Sequence, residues 1–409
     1  MEATPAPIPP TPIPPAHVPP GLVRDFNYLT MPGVEKDPHR AWKQVQQDGR
    51  DIFWTPHFGG HWVVTRGAFI KELYENFADF SSEVIALPRE ERPEPYRMAP
   101  LELDPPEHTD YRRLLNPAFG PKALQRLEDG IRQLTCALID GFRSAGHCEF
   151  IGAFALRMPV TVFMRIVDLP TEDLPRLLEW ADMVIHHGGD LARARDGSAG
   201  IAGYAHQKIQ ERRAAPGADL ISHVIGTDVN GRRLTDGEAV GVVALLLFGG
   251  LDTVAAMLGF SVRHLAEHPE QRRQLIADAS LIPNAVEELF RRFSVPSTAR
   301  MVSRDIDFHG VTLRKGDLVL APNILHNLDD RLWPDPLRVD FTRQDARRHL
   351  TFNAGPHRCV GAPLARMELR IFLEEWLKRI PDFRIAPGAE IRTKPGAVVG
   401  IAALPLTWP

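Results

Sequence analysis

The stretch TFNAGPHRCVGAPLARMELR, residues 351–370, contains Cys359, one of only three cysteines in a chain of 409 residues. Apolar residues at helical spacing begin just after Gly361, so the sulfur is predicted to lie at or just before a helix N-terminus. Free backbone N–H groups and the helix dipole stabilise an anion there, and His357 and Arg358 add positive charge. We therefore expect the pKa of this thiol to be lowered.

A thiolate in this position has three possible chemical uses. Zinc needs about four ligands, usually with paired Cys or His spacings, and no second cysteine lies nearby. A nucleophilic cysteine needs a base, for which His357 is poorly placed. Haem iron needs only one axial thiolate, and Gly355 and Gly361 would let a flat group approach closely. A buried cysteine with no chemical role remains open at this point.

A second candidate for chemistry is FGGLDTV, residues 248–254. The adjacent glycines Gly249 and Gly250 each cost a helix about 1 kcal/mol. Thr253 can bond its own backbone, and Asp252 would be costly if it were buried without a partner. Because a helical pattern resumes afterwards, we interpret this stretch as a functional break inside one long helix.

The elements that must position these residues are mostly helical. Helices are predicted at Lys122–Phe142, Ala205–Ala214, Thr235–Glu267, Asn284–Phe293 and Ala362–Arg379. Strands are predicted at His61–Thr65, Ile306–Leu313, Asp317–Ala321 and Val399–Leu404, with the middle two forming a hairpin around RKGD. Thr235 and Glu238 form a candidate capping box. The sequence thus predicts a mainly α protein with a small β region, folded as one large unit.

Composition excludes some classes of protein. Hydrophobic residues make up 44% and charged residues 24% of the chain, and the formal net charge of -4 gives no general reason to bind nucleic acid or an anionic membrane. The longest apolar run, Ala239–Leu251, has 13 residues, whereas a membrane span needs about 20. Three unpatterned cysteines and no leader segment favour a cytoplasmic location. Residues 1–20 hold nine prolines and are expected to form an extended arm before a domain at 21–409.

Five residues stand in the order F-x-x-G-x-H-x-C-x-G: Phe352, Gly355, His357, Cys359 and Gly361. This pattern resembles the haem-binding loop of the cytochrome P450 monooxygenases. The resemblance implies the cytochrome P450 fold, a single large haem-enclosing domain, with haem b as cofactor. It implies that Cys359 is the iron ligand, that His357 contacts a haem propionate, and that Phe352 and Gly361 belong to the cofactor site. Arg366 and Glu368 fit the helix that follows in this family.

Two other segments match propionate-binding positions of the family. In LDPPEHTDYRRLL, His108 and Arg112 are four residues apart and share one helix face. Arg300, in PSTARMV, is the third matching cation. Thr298 stands where an acidic residue is expected beside a propionate.

EELFRRF places Glu288 and Arg291 three residues apart, in the E-x-x-R spacing of a helix pair. This pair matches one found in the family about 70 residues before the cysteine loop. The resemblance implies a third, basic member, and Arg338 in WPDPLRVDF is its expected position. We interpret the trio as structural.

In the family an acid–alcohol pair lies above the iron, which here corresponds to Asp252 and Thr253. The resemblance implies that the helix widens beside Gly249 and Gly250 to give dioxygen space. Thr253 is expected to hold dioxygen and a proton-carrying water, and Asp252 to relay protons from solvent.

The resemblance is closest to the camphor-hydroxylating branch of the family. Tyr96 falls where that branch donates a hydrogen bond to a substrate carbonyl. The remaining pocket candidates are apolar: Ala86, Leu245, Phe248, Val295, Ala397 and Val398. Met183, Val184 and His187 lie in the region that usually roofs the pocket. Ala86 stands where an aromatic residue is expected, and Phe248 is bulkier than expected. The pocket shape therefore differs from one for camphor, and we expect a different small terpenoid as substrate, a monoterpenoid or norisoprenoid.

Electrons must come from another protein, because the chain has no dinucleotide-binding fingerprint after a strand. The resemblance implies a [2Fe-2S] ferredoxin with its reductase. Its docking face is expected on the cysteine side, in a basic patch formed by Lys71, Arg112, Arg113, Arg347 and Arg348. A monomer with no nucleic-acid or membrane partner is expected. Two rival functions are a peroxide-driven peroxygenase, which would not need Asp252 and Thr253, and a haem-based sensor, whose usual additional domain is missing.

Overall fold

The computed structural model describes residues 13–89 and 96–409. The described residues contain fourteen α-helices: α1 (Pro38–Gln47), α2 (Gly67–Glu75), α3 (Glu107–Leu115), α4 (Pro121–Arg143), α5 (Arg157–Val167), α6 (Leu174–Ile185), α7 (Leu191–Ala214), α8 (Leu220–Gly226), α9 (Asp236–Leu251), α10 (Thr253–Glu267), α11 (Pro269–Ala277), α12 (Ile282–Arg292), α13 (Asn323–Asn327) and α14 (Ala362–Arg379). The predicted mainly α fold class is confirmed.

The strands are short and form four small sheets. They are β1 (Ile52–Thr55), β2 (His61–Val64), β3 (Phe80–Ser81), β4 (His147–Glu149), β5 (Ser297–Val302), β6 (Ile306–Phe308), β7 (Val311–Leu313), β8 (Leu318–Pro322), β9 (Arg384–Ile385), β10 (Thr393–Lys394), β11 (Gly400–Ile401) and β12 (Pro405–Thr407). The sheet orders are β1-β2-β8-β5-β3, β4-β12-β9, β6-β7 and β10-β11.

The long apolar helix predicted at 235–267 exists but is broken in the middle. Thr235 and Glu238 form the predicted capping box at the start of α9. Asp252 separates α9 from α10, with φ −129° and ψ −37°. The stretch of 32 residues from 236 to 267 is long and apolar enough to cross a membrane, but 61% of its most apolar window is buried in the protein. α9 packs against α5, α6, α7 and α8, so this is a core helix.

The hairpin predicted around RKGD is wrong. Residues 306–313 form a hairpin by themselves, since β6 pairs with β7 through His309 and Gly310, which both have positive φ. Two positive φ angles in a two-residue turn give the twist that a tight hairpin needs. β8 instead pairs with β5 and with the distant β2, a pairing that no local turn signal specifies.

One predicted helix is much shorter than the helix observed, whereas another matches. α14 has the predicted bounds, whereas α7 begins at Leu191 rather than Ala205. The missed part of α7 contains Gly197 and Gly200, which weaken a helical pattern. A Cβ at Gly200 would lie 2.3 Å from the ring of Trp180, on α6. These glycines therefore allow α6 and α7 to pack closely.

The proline-rich arm lies only partly within the described residues, since residues 1–12 fall outside them. Ile13 is exposed, and the arm contacts the protein through residues further along. Val18 is buried in the core, and His17 Nε2 lies 2.8 Å from a carboxylate oxygen of Asp317.

Candidate functional site

The cysteine loop is a tight turn that joins the core to the start of α14. The Cys359 N–H donates to the Phe352 carbonyl oxygen over 2.8 Å, which closes the loop. Gly355 has φ +63°, and a Cβ there would lie 2.6 Å from the carbonyl oxygen of Tyr74. Only glycine fits this position, because both the backbone conformation and the contact with α2 exclude a side chain.

Cys359 has accessible surface, although protein atoms surround its sulfur on all sides at longer range. Its surface therefore opens onto an internal space. A Cβ at Gly361 would lie 3.8 Å from the sulfur. The absent side chain keeps the region beside the thiol open.

The expected lowering of the thiol pKa is wrong for the protein alone. Burial raises the pKa of Cys359, although the N–H groups of Gly361 and Ala362 and the charges of Arg112 and Arg366 act to lower it. The sequence indicates the helix N-terminus and the positive charges, but it does not indicate how deeply the sulfur is buried. Burial disfavours the charged thiolate and therefore raises its pKa. A metal ion bound to the sulfur would add positive charge beside it and would favour the thiolate form of Cys359.

Three predicted cofactor-binding residues meet beside this space. The rings of His108 and His357 have centroids 4.4 Å apart. Both ring nitrogens of His108, Nε2 of His357 and Nη2 of Arg300 are buried without a hydrogen-bond partner. Burial and the charge of Arg112 lower the pKa of His108 to about 4, and burial with Arg300 and His108 lowers the pKa of His357 to about 3.

The N–H groups among these nitrogens require an acceptor. They belong to Arg300 and to the protonated nitrogen of each neutral imidazole. A flat group with two carboxylates would satisfy them while its metal met the nearby sulfur. The residues present therefore fit haem b.

The other residues predicted near the propionates are already engaged. Arg112 Nη1 donates to the carbonyl oxygen of Arg358 over 2.8 Å, which ties α3 to the cysteine loop. Thr298 Oγ1 lies 2.9 Å from the hydroxyl of Tyr74. Sequence analysis missed Asp104, whose carboxylate lies 4.0 Å from His357 Nε2. The segment LDPPEH contains this aspartate, but no spacing rule singles it out.

The two glycines of α9 have different functions in packing. Nothing lies within 4 Å of a Cβ built on Gly249, whereas a Cβ on Gly250 would lie 2.4 Å from the ring of Phe163 on α5. Leu245, Phe248, Gly249 and Thr253 keep accessible surface although the helix is central. One face of α9 therefore borders an open space.

The polar residues at the helix break behave as the sequence suggested. Thr253 Oγ1 donates to the Gly249 carbonyl oxygen over 3.2 Å, a bond that bends a helix. Asp252 Oδ2 is buried without a hydrogen-bond partner, and His186 Nε2 lies 3.4 Å from it. Sequence analysis missed His186, because nothing links it to Asp252 along the chain.

Backbone contacts bring the predicted pocket segments next to each other. The Ala299 N–H donates to the Ile85 carbonyl oxygen over 2.8 Å, beside Ala86, and the Ser297 N–H donates to the Ala397 carbonyl oxygen over 2.9 Å. Val399 N–H likewise donates to the Val295 carbonyl oxygen, over 3.1 Å.

Two predicted pocket regions contact neighbouring helices. A Cβ at Gly241 of α9 would lie 1.9 Å from the Arg97 carbonyl oxygen, so the segment holding the buried Tyr96 crosses α9 closely. Met183 and Val184 pack against Gly197 of α7.

The buried pair of Glu288 and Arg291 holds the segment before the cysteine loop. The Arg291 Nε–Glu288 Oε2 distance is 2.7 Å, and both side chains are fully buried. Arg291 also donates to the carbonyl oxygens of Asn327, Pro336 and Arg338.

The expectation that the side chain of Arg338 completes this trio is wrong. Arg338 is exposed and contributes only its carbonyl oxygen. Arg343 is the basic partner, since its Nε lies 3.1 Å from Glu288 Oε1. The chain turns between the two arginines, and spacing in the sequence does not reveal which of them points inward.

α12 also anchors the cysteine loop directly. The rings of Phe290 and Phe352 have centroids 4.7 Å apart. Arg366 of α14 lies over the ring of Phe352 at 4.5 Å and forms two hydrogen bonds with Glu287, of 2.8 and 3.0 Å. Contacts with α12 therefore hold the chain on both sides of Cys359, at Phe352 before it and at Arg366 after it.

Within residues 13–89 and 96–409, no three His, Cys, Asp or Glu side chains are grouped so that they could hold a metal ion. The zinc alternative for Cys359 therefore has no ligand set in this part of the chain.

Comparison with known proteins identifies the family that this chain resembles. The profile of the family "Cytochrome P450" matches residues 161–405. The chain is 36% identical over 398 residues to a probable cytochrome P450 127A1 of Sinorhizobium fredii, covering 95% of both proteins. It is 32% identical to the cytochrome P450 monooxygenase PikC of Streptomyces venezuelae, covering 75% of both.

Two solved structures are similar over almost the whole chain. CYP101J2 is 42% identical with a TM-score of 0.87, covering 97% of this chain and 100% of that one. Cytochrome P450 CYP101C1 is 38% identical with a TM-score of 0.87 and the same coverage.

The Glu288 network makes a testable distinction between two arginines. Arg343→Ala should lower the free energy of unfolding by about 1–3 kcal/mol, because it leaves a buried carboxylate short of a charged partner. Arg338→Ala keeps the carbonyl oxygen that Arg291 uses and should change the free energy by less than about 0.5 kcal/mol. Denaturant unfolding measures both, and equal losses would contradict the assignment of Arg343.

Proposed function

We propose a reaction and site roles for this chain, starting from the fact that it belongs to the cytochrome P450 family. It is a haem-containing monooxygenase, and its cofactor is haem b with a cysteine thiolate ligand. Bound haem supplies the activation of dioxygen, with one oxygen atom inserted into a C–H bond and the other leaving as water. The proposal concerns which residues act, on which class of substrate, and with which electron donor.

Cys359 is proposed as the iron ligand. The observation that carries this is an accessible thiol, deep in the protein, beside a cluster of buried nitrogens without partners. His108, His357 and Arg300 would hold the two propionates, and Arg112 would hold the loop through its bond to Arg358. Phe352 and Gly361 shape the loop, and Gly249 borders the space on the opposite side.

Thr253 and Asp252 are proposed to deliver protons. Thr253 is the first residue of α10, keeps accessible surface, and is oriented by its bond to the carbonyl oxygen of Gly249 on α9. Asp252, at the helix break, has a buried oxygen without a hydrogen-bond partner. Its carboxylate is therefore free to turn and to bond first a proton donor and then a group near Thr253. This pair argues against a peroxide-driven reaction, which consumes no protons from solvent.

Glu288, Arg291 and Arg343 are proposed as structural residues. Their charges are satisfied by one another and by backbone groups of the segment 327–340. None of them has an unsatisfied group that would be available to a ligand.

The substrate is proposed to be a small terpenoid with one oxygen atom. The predicted pocket residues are apolar apart from the buried Tyr96, and a phenol at an apolar wall can bind one carbonyl or hydroxyl group. Ala86 and Phe248 distinguish this pocket from one shaped for camphor.

A [2Fe-2S] ferredoxin, reduced by its own reductase, is proposed as the electron donor. Arg113, Arg347 and Arg348 are exposed on their side chains by 73%, 77% and 70%. Lys71 and Arg348 line one surface cleft on the side of α2, and α2 contacts the cysteine loop at Gly355. We propose that the protein is a monomer. We also propose a cytoplasmic location, because a reducing environment keeps cysteine thiols free.

Cys359→Ser should abolish thiolate ligation. A serine hydroxyl is far less acidic than a thiol and a poorer ligand for iron, so the characteristic thiolate absorption band of the reduced, carbon-monoxide-bound protein should disappear. Cys136→Ser, at a half-buried cysteine on α4, is the matched control and should keep the band. A wild-type band in Cys359→Ser would refute the ligand assignment.

Thr253→Ala should separate oxygen use from product formation. With a ferredoxin system, the variant should consume dioxygen but release it mostly as hydrogen peroxide, lowering product per reductant by about tenfold or more. Thr253→Ser keeps the hydroxyl and should keep the yield. An unchanged yield in Thr253→Ala, or equal turnover with peroxide alone, would argue against proton delivery.

Tyr96→Phe tests the substrate class. Terpenoids are first screened for the shift of the iron from low to high spin, which reports ligands entering the pocket. Binding of an oxygenated terpenoid should weaken by about 1–3 kcal/mol in the variant, because a buried hydrogen bond is lost. The matching hydrocarbon without the oxygen should bind both proteins equally. If no terpenoid shifts the spin state, the substrate class is wrong.

A further inference from the structure

A cleft of about 340 Å³ is lined by Asp252 but not by Thr253. Its polar wall contains the side chains of Glu179, Asp182, His186, Asp252 and Lys394. Leu251, Ala255 and Ala256 also line it, whereas Leu245, Phe248, Gly249 and Thr253 do not. Asp252 is therefore the member of the acid–alcohol pair that borders this cleft. The volume is enough for several water molecules, each of which occupies about 30 Å³ in the liquid.

His186 is the cleft residue in contact with Asp252. It follows the last residue of α6, and its Nε2 lies 3.4 Å from Asp252 Oδ2. Its Nδ1 lies 3.4 Å from the carbonyl oxygen of Pro395. The side chain of His186 is largely buried, with 7% of its surface exposed.

Both neighbours of the imidazole are hydrogen-bond acceptors. A neutral imidazole carries one N–H and one lone pair, so either tautomer would place a lone pair against an oxygen. A doubly protonated ring would present an N–H toward each oxygen. The Asp252 contact is at ion-pair distance, 3.4 Å, rather than a formed hydrogen bond, so a small movement of the carboxylate would be enough to make the bond.

Of the other charged groups in the cleft, Asp182 and Lys394 are paired with each other, whereas Glu179 is exposed to solvent. Asp182 accepts from Lys394 Nζ over 2.7 Å and from Arg193 Nη2 over 2.6 Å. Although burial opposes it, the hydrogen bonds from Lys394 and Arg193 lower the pKa of Asp182, so it stays ionised. Arg193 Nη1 also donates to the carbonyl oxygen of His186 over 2.9 Å.

These pairs limit which groups can exchange protons with Asp252. Lysine and arginine hold their protons near neutral pH, and Asp182 is engaged with two cations. Histidine is the side chain that gains and loses a proton readily in this range.

We propose that His186 is the residue through which protons pass from water in the cleft to Asp252. This inference rests on the proposed role of Asp252 as the proton donor toward Thr253. The imidazolium gives its Nε2 proton to the Asp252 carboxylate, which leaves a neutral imidazole and a carboxylic acid. The acid turns toward Thr253 and releases the proton there, which restores the carboxylate. The imidazole regains its proton from the acid of the bulk solvent, relayed by water in the cleft, so that no hydroxide is left behind.

His186 acts through Asp252 and is a positioning residue as well as a proton carrier. Two substitutions separate these roles. His186→Arg keeps a cation that can hold the carboxylate but does not release a proton, whereas His186→Gln keeps only a hydrogen-bonding group. A residue that merely held Asp252 in place would be replaced well by arginine.

The first test measures turnover with the full ferredoxin system across pH. Both His186→Arg and His186→Gln should lower the rate of product formation by about tenfold or more and increase the solvent deuterium isotope effect. His206→Gln, at an exposed histidine of α7, should leave both quantities unchanged. His186→Gln combined with Asp252→Asn should be no slower than Asp252→Asn alone, because the two residues act in series.

The second test does not depend on turnover. In the reduced, carbon-monoxide-bound protein labelled with nitrogen-15 histidine, the ring of His186 should carry protons on both nitrogens at neutral pH. Asp252→Asn removes the facing charge and should leave one ring proton. A singly protonated ring in the wild-type protein would overturn the proposal.

The outcomes distinguish this inference from the function on which it rests. If Asp252→Asn does not slow product formation, the proposed proton delivery through Asp252 fails. If Asp252→Asn slows it but His186→Arg keeps the wild-type rate and isotope effect, only the role of His186 as a proton carrier fails.

Discussion

The buried nitrogens beside Cys359 are the constraint on which the rest of the structure depends. A buried polar group without a partner costs about 1–3 kcal/mol, and four such atoms belong to His108, His357 and Arg300. Burial also raises the pKa of the Cys359 thiol. The protein alone therefore leaves N–H groups without acceptors around one space, and an anionic group carrying a metal would supply acceptors to them and positive charge to the sulfur.

The surrounding fold keeps those groups in place. α12 and α14 anchor the cysteine loop through Phe290, Phe352 and the pair of Glu287 and Arg366. The fully buried pair of Glu288 and Arg291 ties the preceding segment to the same helix. Such a pair is costly to bury unless its remaining hydrogen bonds are made, and here backbone carbonyl oxygens and Arg343 complete them. The rigidity of the loop comes from this network rather than from the loop residues themselves.

The break at Asp252 lies between α9 and α10, next to Thr253 and in the wall of a cleft that Thr253 does not line. The face of α9 at Gly249 is open. The cleft lined by His186 and Asp182 reaches Asp252.

Local patterns in the sequence were sufficient for α4 and α14, for only the second half of α7, and for the capping box at Thr235, the break at Asp252 and the arrangement of the cysteine loop. Each depends on residues within a few positions of one another, where spacing determines geometry. The net direction of the Cys359 pKa, the choice of Arg343 over Arg338, the pairing of β8 with β2 and the contact of His186 with Asp252 depend on distances between residues far apart in the chain. Tertiary packing decided these, because burial and charge act through space and leave no periodic trace in a single sequence.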